Sequence, residues 1–171
     1  METSLRYSSA AKSLKIHAKQ NLLIDPDTFF QIRAELDTKL GSPNYFCAML
    51  RRIYDQPQLS SRFGLGVQYD KFQKLGYIVR GKMEFPVTSN DDNSIRFVVK
   101  GRSDIDKEFK QRRSKGGAEF TWSINNFQKE QDVRFKVGYD VVDKIPYMQF
   151  RENNWTINAD SKGRWNIRYD L

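Results

Sequence analysis

Arginine and lysine recur at alternate positions along this chain. In RWNIRYDL (164–171), Arg164, Asn166, Arg168 and Asp170 share one parity, and Trp165, Ile167, Tyr169 and Leu171 the other. Side chains of a strand point alternately to its two faces, so such a segment collects its guanidinium groups on one side and its apolar groups on the other. A guanidinium fork matches the oxygens of a phosphate or carboxylate in a bidentate fashion, and a lysine supplies a mobile point charge. On this parity the candidate anion-binding residues are Lys15, Lys19, Arg33, Arg51, Arg80, Lys82, Arg96, Lys100, Arg102, Arg134, Lys136, Arg151, Arg164 and Arg168. Glu35, Asp37, Asp70, Glu84, Glu119, Asp140, Asp160 and Asp170 share their face. The cations outnumber these carboxylates, so most of the net charge of +8 maps to one face. Many weak cationic sites suit passage of anions, because one tight site would block flow.

Other chemistry is thinly represented. His17 is the single histidine, so a histidine triad or histidine metal site lacks partners, and a place on the polar face with no special role is expected. Cys47 lacks a CxxC spacing and reads as a lipid-facing or packed thiol. The GLG at 64–66 has no third glycine and no strand–helix context, so it is no dinucleotide fingerprint; its glycines are expected to relieve crowding in a curved strand. Asn154-Trp155-Thr156 matches a glycosylation sequon by chance. No spaced pair of carboxylates stands out as general acid and base. An enzyme is not expected, and no cofactor or metal.

The elements that must carry these residues read as strands. Period two runs through Leu14–Lys19, Phe30–Asp37, Phe63–Asp70, Tyr77–Phe85, Ile95–Lys100, Ala118–Ile124, Val133–Val141, Met148–Arg151, Asn154–Asp160 and the closing octapeptide. YFCAMLRRIY (45–54) is blurred, with Phe46, Ala48 and Leu50 able to share a face. Turn chemistry separates the runs at DPD (25–27), GSPN (41–44), DQPQ (55–58), SNDDNS (89–94), KGG (115–117), ENN (152–154) and DSKG (160–163). Counting the charged segment 103–113 as a strand gives about twelve, beginning near residue 14. Each strand with its turn then takes roughly 13 residues, enough for the 9–11 of a membrane-crossing strand. No linker or break in composition divides residues 1–171, which read as one domain.

Composition limits the classes further. A basic balance predicts an anionic partner: nucleic acid, an acidic membrane surface, or small phosphorylated or carboxylate solutes. One cysteine excludes an internal disulfide framework. No segment has the apolar core of a secretory signal or the length of a transmembrane helix. A soluble barrel or sandwich, apolar inside and basic outside, is the ordinary reading of such alternation. Three features favour the opposite arrangement. The apolar parity is bulky along nearly every strand, with Tyr69, Tyr77, Trp122, Tyr139, Tyr147, Trp155, Trp165 and Tyr169 assigned to it. About twelve strands enclose more space than side chains fill. Aromatics also gather near strand ends while cations sit mid-strand, as in a barrel with an aromatic girdle and a hydrated lumen.

Particular segments carry a resemblance as well. METSLRY (1–7), SLKIHAK (13–19), TFFQIR (28–33), LDTK (36–39), FPVT (85–88), GGAEF (116–120), NNFQKEQDVR (125–134) and RENNWTINADSKGRWNIRYDL (151–171) resemble the small anion-selective pore of the chloroplast outer envelope. The sequence departs most from that pattern over 41–62, and Gln68 stands where a basic residue is expected. The resemblance implies a closed antiparallel transmembrane β-barrel in the plastid outer envelope. It also implies that the barrel passes inorganic phosphate, triose phosphates and related metabolites, with ATP acting from inside the lumen. Membrane lipids would surround it, and nucleic acid would not be a partner. The competing class is a soluble basic β-protein binding RNA or single-stranded nucleic acid through arginines and stacking aromatics. Its stacking platform would mix the two residue types on one face, whereas here they alternate apart.

Overall fold

The computed structural model describes residues 1–71, 74–89, 93–128 and 131–171. They form one sheet of antiparallel strands: β1 (Glu2–Ser8), β2 (Ser13–Asp25), β3 (Thr28–Asp37), β4 (Ser42–Gln56), β5 (Leu59–Asp70), β6 (Lys74–Ser89), β7 (Asn93–Asp106), β8 (Arg112–Gln128), β9 (Gln131–Asp140), β10 (Ile145–Glu152), β11 (Trp155–Asp160) and β12 (Trp165–Asp170). Each strand pairs with its neighbours in chain order, and β1 closes on β12 from Ser4↔Asp170 to Ser8↔Asn166. Ser9 clasps the seam: its Oγ donates to the Trp165 carbonyl at 2.8 Å and accepts from the Trp165 N–H at 2.9 Å. An even strand number puts both chain ends at one mouth. The wall is uneven, from 17 residues in β8 to 6 in β11 and β12.

The barrel is turned inside out relative to a soluble one. Leu50, Leu65, Val79, Phe120, Val137, Met148 and Ile157 are exposed on its outer face. The buried interior is chiefly polar and includes Gln31, Glu84, Glu119, Thr121 and Thr156. Cys47, Met49 and Ile78 form a small apolar cluster beneath it, so Cys47 is a packed thiol rather than a lipid-facing one. Gly64 and Gly66 make room for that cluster. A Cβ on Gly66 would lie 2.2 Å from the Ala48 carbonyl oxygen, and one on Gly64 2.6 Å from the Met49 sulfur. No helix among the described residues is long and apolar enough to cross a membrane, and the strands supply the outer apolar surface instead.

The number of strands matches the expectation, although two of the strands differ from those expected. Residues 2–8 form β1, ahead of the expected start near residue 14. Residues 103–113 are not a strand of their own: they are the end of β7, a turn, and the start of β8. Lys115-Gly116-Gly117 is strand as well, because Gly101↔Gly116 and Lys100↔Gly117 are ladder pairs. Asp106 decides where the chain turns, its carboxylate accepting the Lys110 and Gln111 N–H groups at 2.8 and 3.1 Å. Tyr147 also departs from expectation. It faces inward, in the row Glu119–Gly138–Tyr147, with its hydroxyl donating to Glu119 at 2.7 Å. The centre of the turn expected over 89–94, residues 90–92, lies outside the described residues.

Candidate pore lining and its cation rows

Register gathers the inward cations into two rows. Across β4 to β8 run Arg51↔Gly64, Gly64↔Arg80, Arg80↔Arg102 and Arg102↔Lys115. Across β9 to β2, through the seam, run Arg134↔Arg151, Arg151↔Thr156, Thr156↔Arg168, Arg168↔Arg6 and Arg6↔Lys15. Neighbouring strands lie about 4.8 Å apart, so cations on successive strands of a row are adjacent charges, and only Gly64 and Thr156 interrupt the two rows. Strands in such a barrel tilt by about 35–45°, so a row at right angles to them climbs roughly 12–15 Å along the axis. The first row climbs from Arg51, in the half of the barrel that holds the chain termini, to Lys115 at the opposite mouth. The second climbs the same way, from Arg134 to Lys15. Two helical tracks of positive charge thus line opposite walls.

Several inward cations are neutralised in place, among them Lys15, Arg102, Arg151 and Arg168 of the two rows. Glu84 on β6 lies 2.5 Å from Lys82, 3.3 Å from Arg96 and 3.7 Å from Arg62. Glu119 on β8 lies 2.6 Å from Lys100 and 3.7 Å from Lys136, and Lys100 also sits 5.0 Å from the Tyr147 ring centroid. Elsewhere Lys15 meets Glu35 at 2.5 Å, Lys19 meets Glu2 at 2.9 Å, and Arg102 meets Asp104 at 2.7 Å. Arg151 and Arg168 share Asp170 at 3.2 and 2.6 Å, and Arg164 meets Asp160 at 2.7 Å at one mouth. His17 lies on the same inner surface, 3.4 Å from Glu35. Arg6, Arg33, Arg51, Arg80, Arg134 and Lys115 touch no carboxylate among the described residues, though Arg51 donates to Gln31 at 3.3 Å.

These side chains surround connected space. A cavity of about 660 Å³ is lined by Arg6, Lys15, Lys19, Arg33, Arg80, Arg102 and Arg168, and another of about 670 Å³ by Arg6, Lys115, Arg134, Lys136, Arg151, Arg164 and Arg168. A third of about 400 Å³ lies among Arg33, Arg51, Arg80, Lys82, Lys100, Arg102 and Lys115. Arg6 and Arg168 border the first two, while Arg33, Arg80 and Arg102 border the first and third.

Sequence reasoning missed Arg6, Arg62 and Lys115. Leu5 and Tyr7 against Ser4, Arg6 and Ser8 is a period-two signal, short but present. Arg62 was hidden because its neighbour Ser61 breaks the apolar parity, and Lys115 because adjacent glycines imitate a turn. The start of β4 reached further back than its blurred sequence indicates, with Tyr45, Cys47, Met49 and Arg51 inward and Phe46, Ala48 and Leu50 outward.

A closed barrel with an apolar exterior and a chiefly polar, cation-lined interior is a porin-like membrane pore. Solved structures of that class share its architecture: the KdgM porin at a TM-score of 0.67 and 10% identity over 99% of this chain and 95% of that one, and the NanC porin at 0.58 and 9% over 99% and 97%. At such identity the likeness shows the fold alone. Residues 3–171 match the family described as chloroplast outer envelope pore protein OEP21. The chain is 52% identical to outer envelope pore protein 21 of Pisum sativum, 51% to outer envelope pore protein 21A of Arabidopsis thaliana and 36% to that of Oryza sativa subsp. indica, in each case over all of both chains. The chain belongs to this family. It is a pore of the chloroplast outer envelope, not an enzyme.

Proposed function

We propose that the pore selects anions and passes inorganic phosphate, triose phosphates and related phosphorylated metabolites. The observation that supports this is the pair of helical cation tracks, which hold Arg6, Arg51, Arg80, Arg134 and Lys115 without a carboxylate partner among the described residues. An anion moving along a track meets a guanidinium or ammonium group at most strand steps, with Gly64 and Thr156 as the gaps. It exchanges part of its hydration for N–H donors, and it leaves one site for an equivalent neighbour. Cations tied to Glu84 and Glu119 hold the wall, so no single site becomes tight enough to arrest flow. A nucleotide such as ATP carries several charges on one chain of phosphates and spans successive members of a track. It therefore resides longer than a triose phosphate and lowers the current while bound.

Reversal potentials in a salt gradient across planar bilayers test this reading. A preference for chloride over potassium, shrinking at high salt as screening shortens the reach of the tracks, is expected. ATP should reduce the current of phosphate in competition with it. Equal permeability to chloride and potassium would overturn the proposal.

A further inference from the structure

The outer wall holds a feature that passage of anions does not use. On β6, β7 and β8 three glycines stand side by side, facing outward: Gly81↔Gly101 and Gly101↔Gly116. A Cβ at Gly101 or Gly116 would meet nothing nearer than 3.9 Å, and one at Gly81 only the Phe63 ring at 3.7 Å. The wall is therefore bare backbone over three strands. One row toward the mouth come Val79↔Ser103 and Ser103↔Ser114, the two hydroxyl oxygens 3.4 Å apart. A row further come Tyr77↔Ile105 and Ile105↔Arg112. Toward the midplane the glycines give way to Met83, Val99 and Ala118, and then to Phe85, Phe97 and Phe120, whose rings contact at 6.2 and 5.0 Å.

We infer that this trough binds one membrane glycerolipid whose phosphate headgroup carries a net negative charge. Arg112 and Arg52 are the outward-facing cations among the described strand residues, and Arg112 is exposed. Its Nε donates to Ser103 Oγ at 2.9 Å, which leaves both terminal nitrogens for a phosphate. The turn above adds a wall: Phe109, in the left-handed region at φ 58°, stacks on outward Tyr77 at 5.4 Å and 20°. The order from mouth to midplane is guanidinium and aromatic, hydroxyl, bare backbone, alkyl, aryl. That is the polarity order of a lipid read from phosphate through glycerol esters to acyl chain. From Arg112 to Phe120 is eight residues, about 26 Å along the strand and roughly 20 Å in depth after tilt, close to one leaflet with its headgroup. Charge complementarity at the headgroup depth, not small residues alone, selects the occupant. A protein partner seated in the trough has no need of a cation at that level.

Native mass spectrometry of the full barrel, folded in detergent with equal amounts of phosphatidylglycerol and phosphatidylcholine, tests the site. One retained phosphatidylglycerol per barrel is expected. Arg112→Gln should lower that retention about fivefold, the weight of one cation at a charged membrane surface. Gly101→Leu should lower retention of both lipids, and Gly101→Ala, which has room for its methyl group, gives the same direction if the larger variant fails to fold. Arg52→Gln at the opposite end should change nothing, and every folded variant should keep its wild-type reversal potential. The inference falls if wild type retains the two lipids equally or if Arg112→Gln keeps phosphatidylglycerol. It also falls if the trough variants alter only a dimer of barrels, which would make a second copy the occupant.

Discussion

Arg80 on β6 stands directly opposite Arg102 on β7, two guanidinium groups paired across one rung of the ladder. Like charges facing each other in this way weaken a sheet. Arg102 is relieved by Asp104 at 2.7 Å and by Gln68 at 3.1 Å, whereas Arg80 has no acidic partner among the described residues. Arg6↔Arg168 and Arg134↔Arg151 repeat the arrangement on the other wall. A fold that only needed to stand would not place three such pairs in its interior.

Arg80→Ser should therefore separate stability from function. Removing one of two opposed charges is expected to leave the barrel as stable or to stabilise it by about 0.2–1 kcal/mol. The anion-to-cation permeability ratio should fall. Thermal unfolding in detergent and reversal potentials measure the two effects, and a loss of stability with unchanged selectivity would contradict the assignment.

Arg168 and Arg164 should differ in weight. Arg168 belongs to the second track and borders two cavities, while Arg164 sits at the mouth held by Asp160. Arg168→Glu is expected to reduce anion preference and block by ATP more than Arg164→Glu, and the double variant more than either. Planar-bilayer recordings at low and high salt give the order, and screening should compress the differences.

Glu119→Gln is expected to act in the opposite sense on selectivity. Glu119 is 3% exposed and serves Lys100, Lys136 and the Tyr147 hydroxyl together. Neutralising it frees two lumen cations, so anion preference should rise while the barrel loses about 1–3 kcal/mol through groups left without their acceptor. A melt combined with a reversal potential checks both signs at once.

The two faces of the wall should answer differently to the same charge. Val137 faces outward on β9, opposite Met148, and Gln149 faces inward beside Lys136. Val137→Arg is expected to cost about 2–4 kcal/mol on folding into lipid, since it sets a charge against acyl chains. Gln149→Arg should fold as wild type. Folding yields in lipid vesicles, read by gel mobility with and without heating, compare the pair.

Alternation alone was enough to read the all-β class, the inward face and most of the cations, because side-chain period is a local property of a strand. Leu14, Lys15 and Ile16 declare their faces to anyone who knows they are extended. What local pattern could not reveal is where strands begin and which residues meet across them. Lys115-Gly116-Gly117 has the composition of a turn, yet backbone pairing with β7 keeps it extended, and the Asp106 carboxylate sets the turn several residues earlier. Tyr147 carries an aromatic ring that matches the apolar parity by type, but the register of β10 turns it onto Gly138 and Glu119. Arg51, Arg80, Arg102 and Lys115 are scattered over four strands in sequence and adjacent only in register. The sequence by itself determined that one face of each strand would be cationic. Closure of the barrel, strand tilt and hydrogen-bond register decided that those cations form two climbing tracks, since these depend on pairings between residues far apart in the chain.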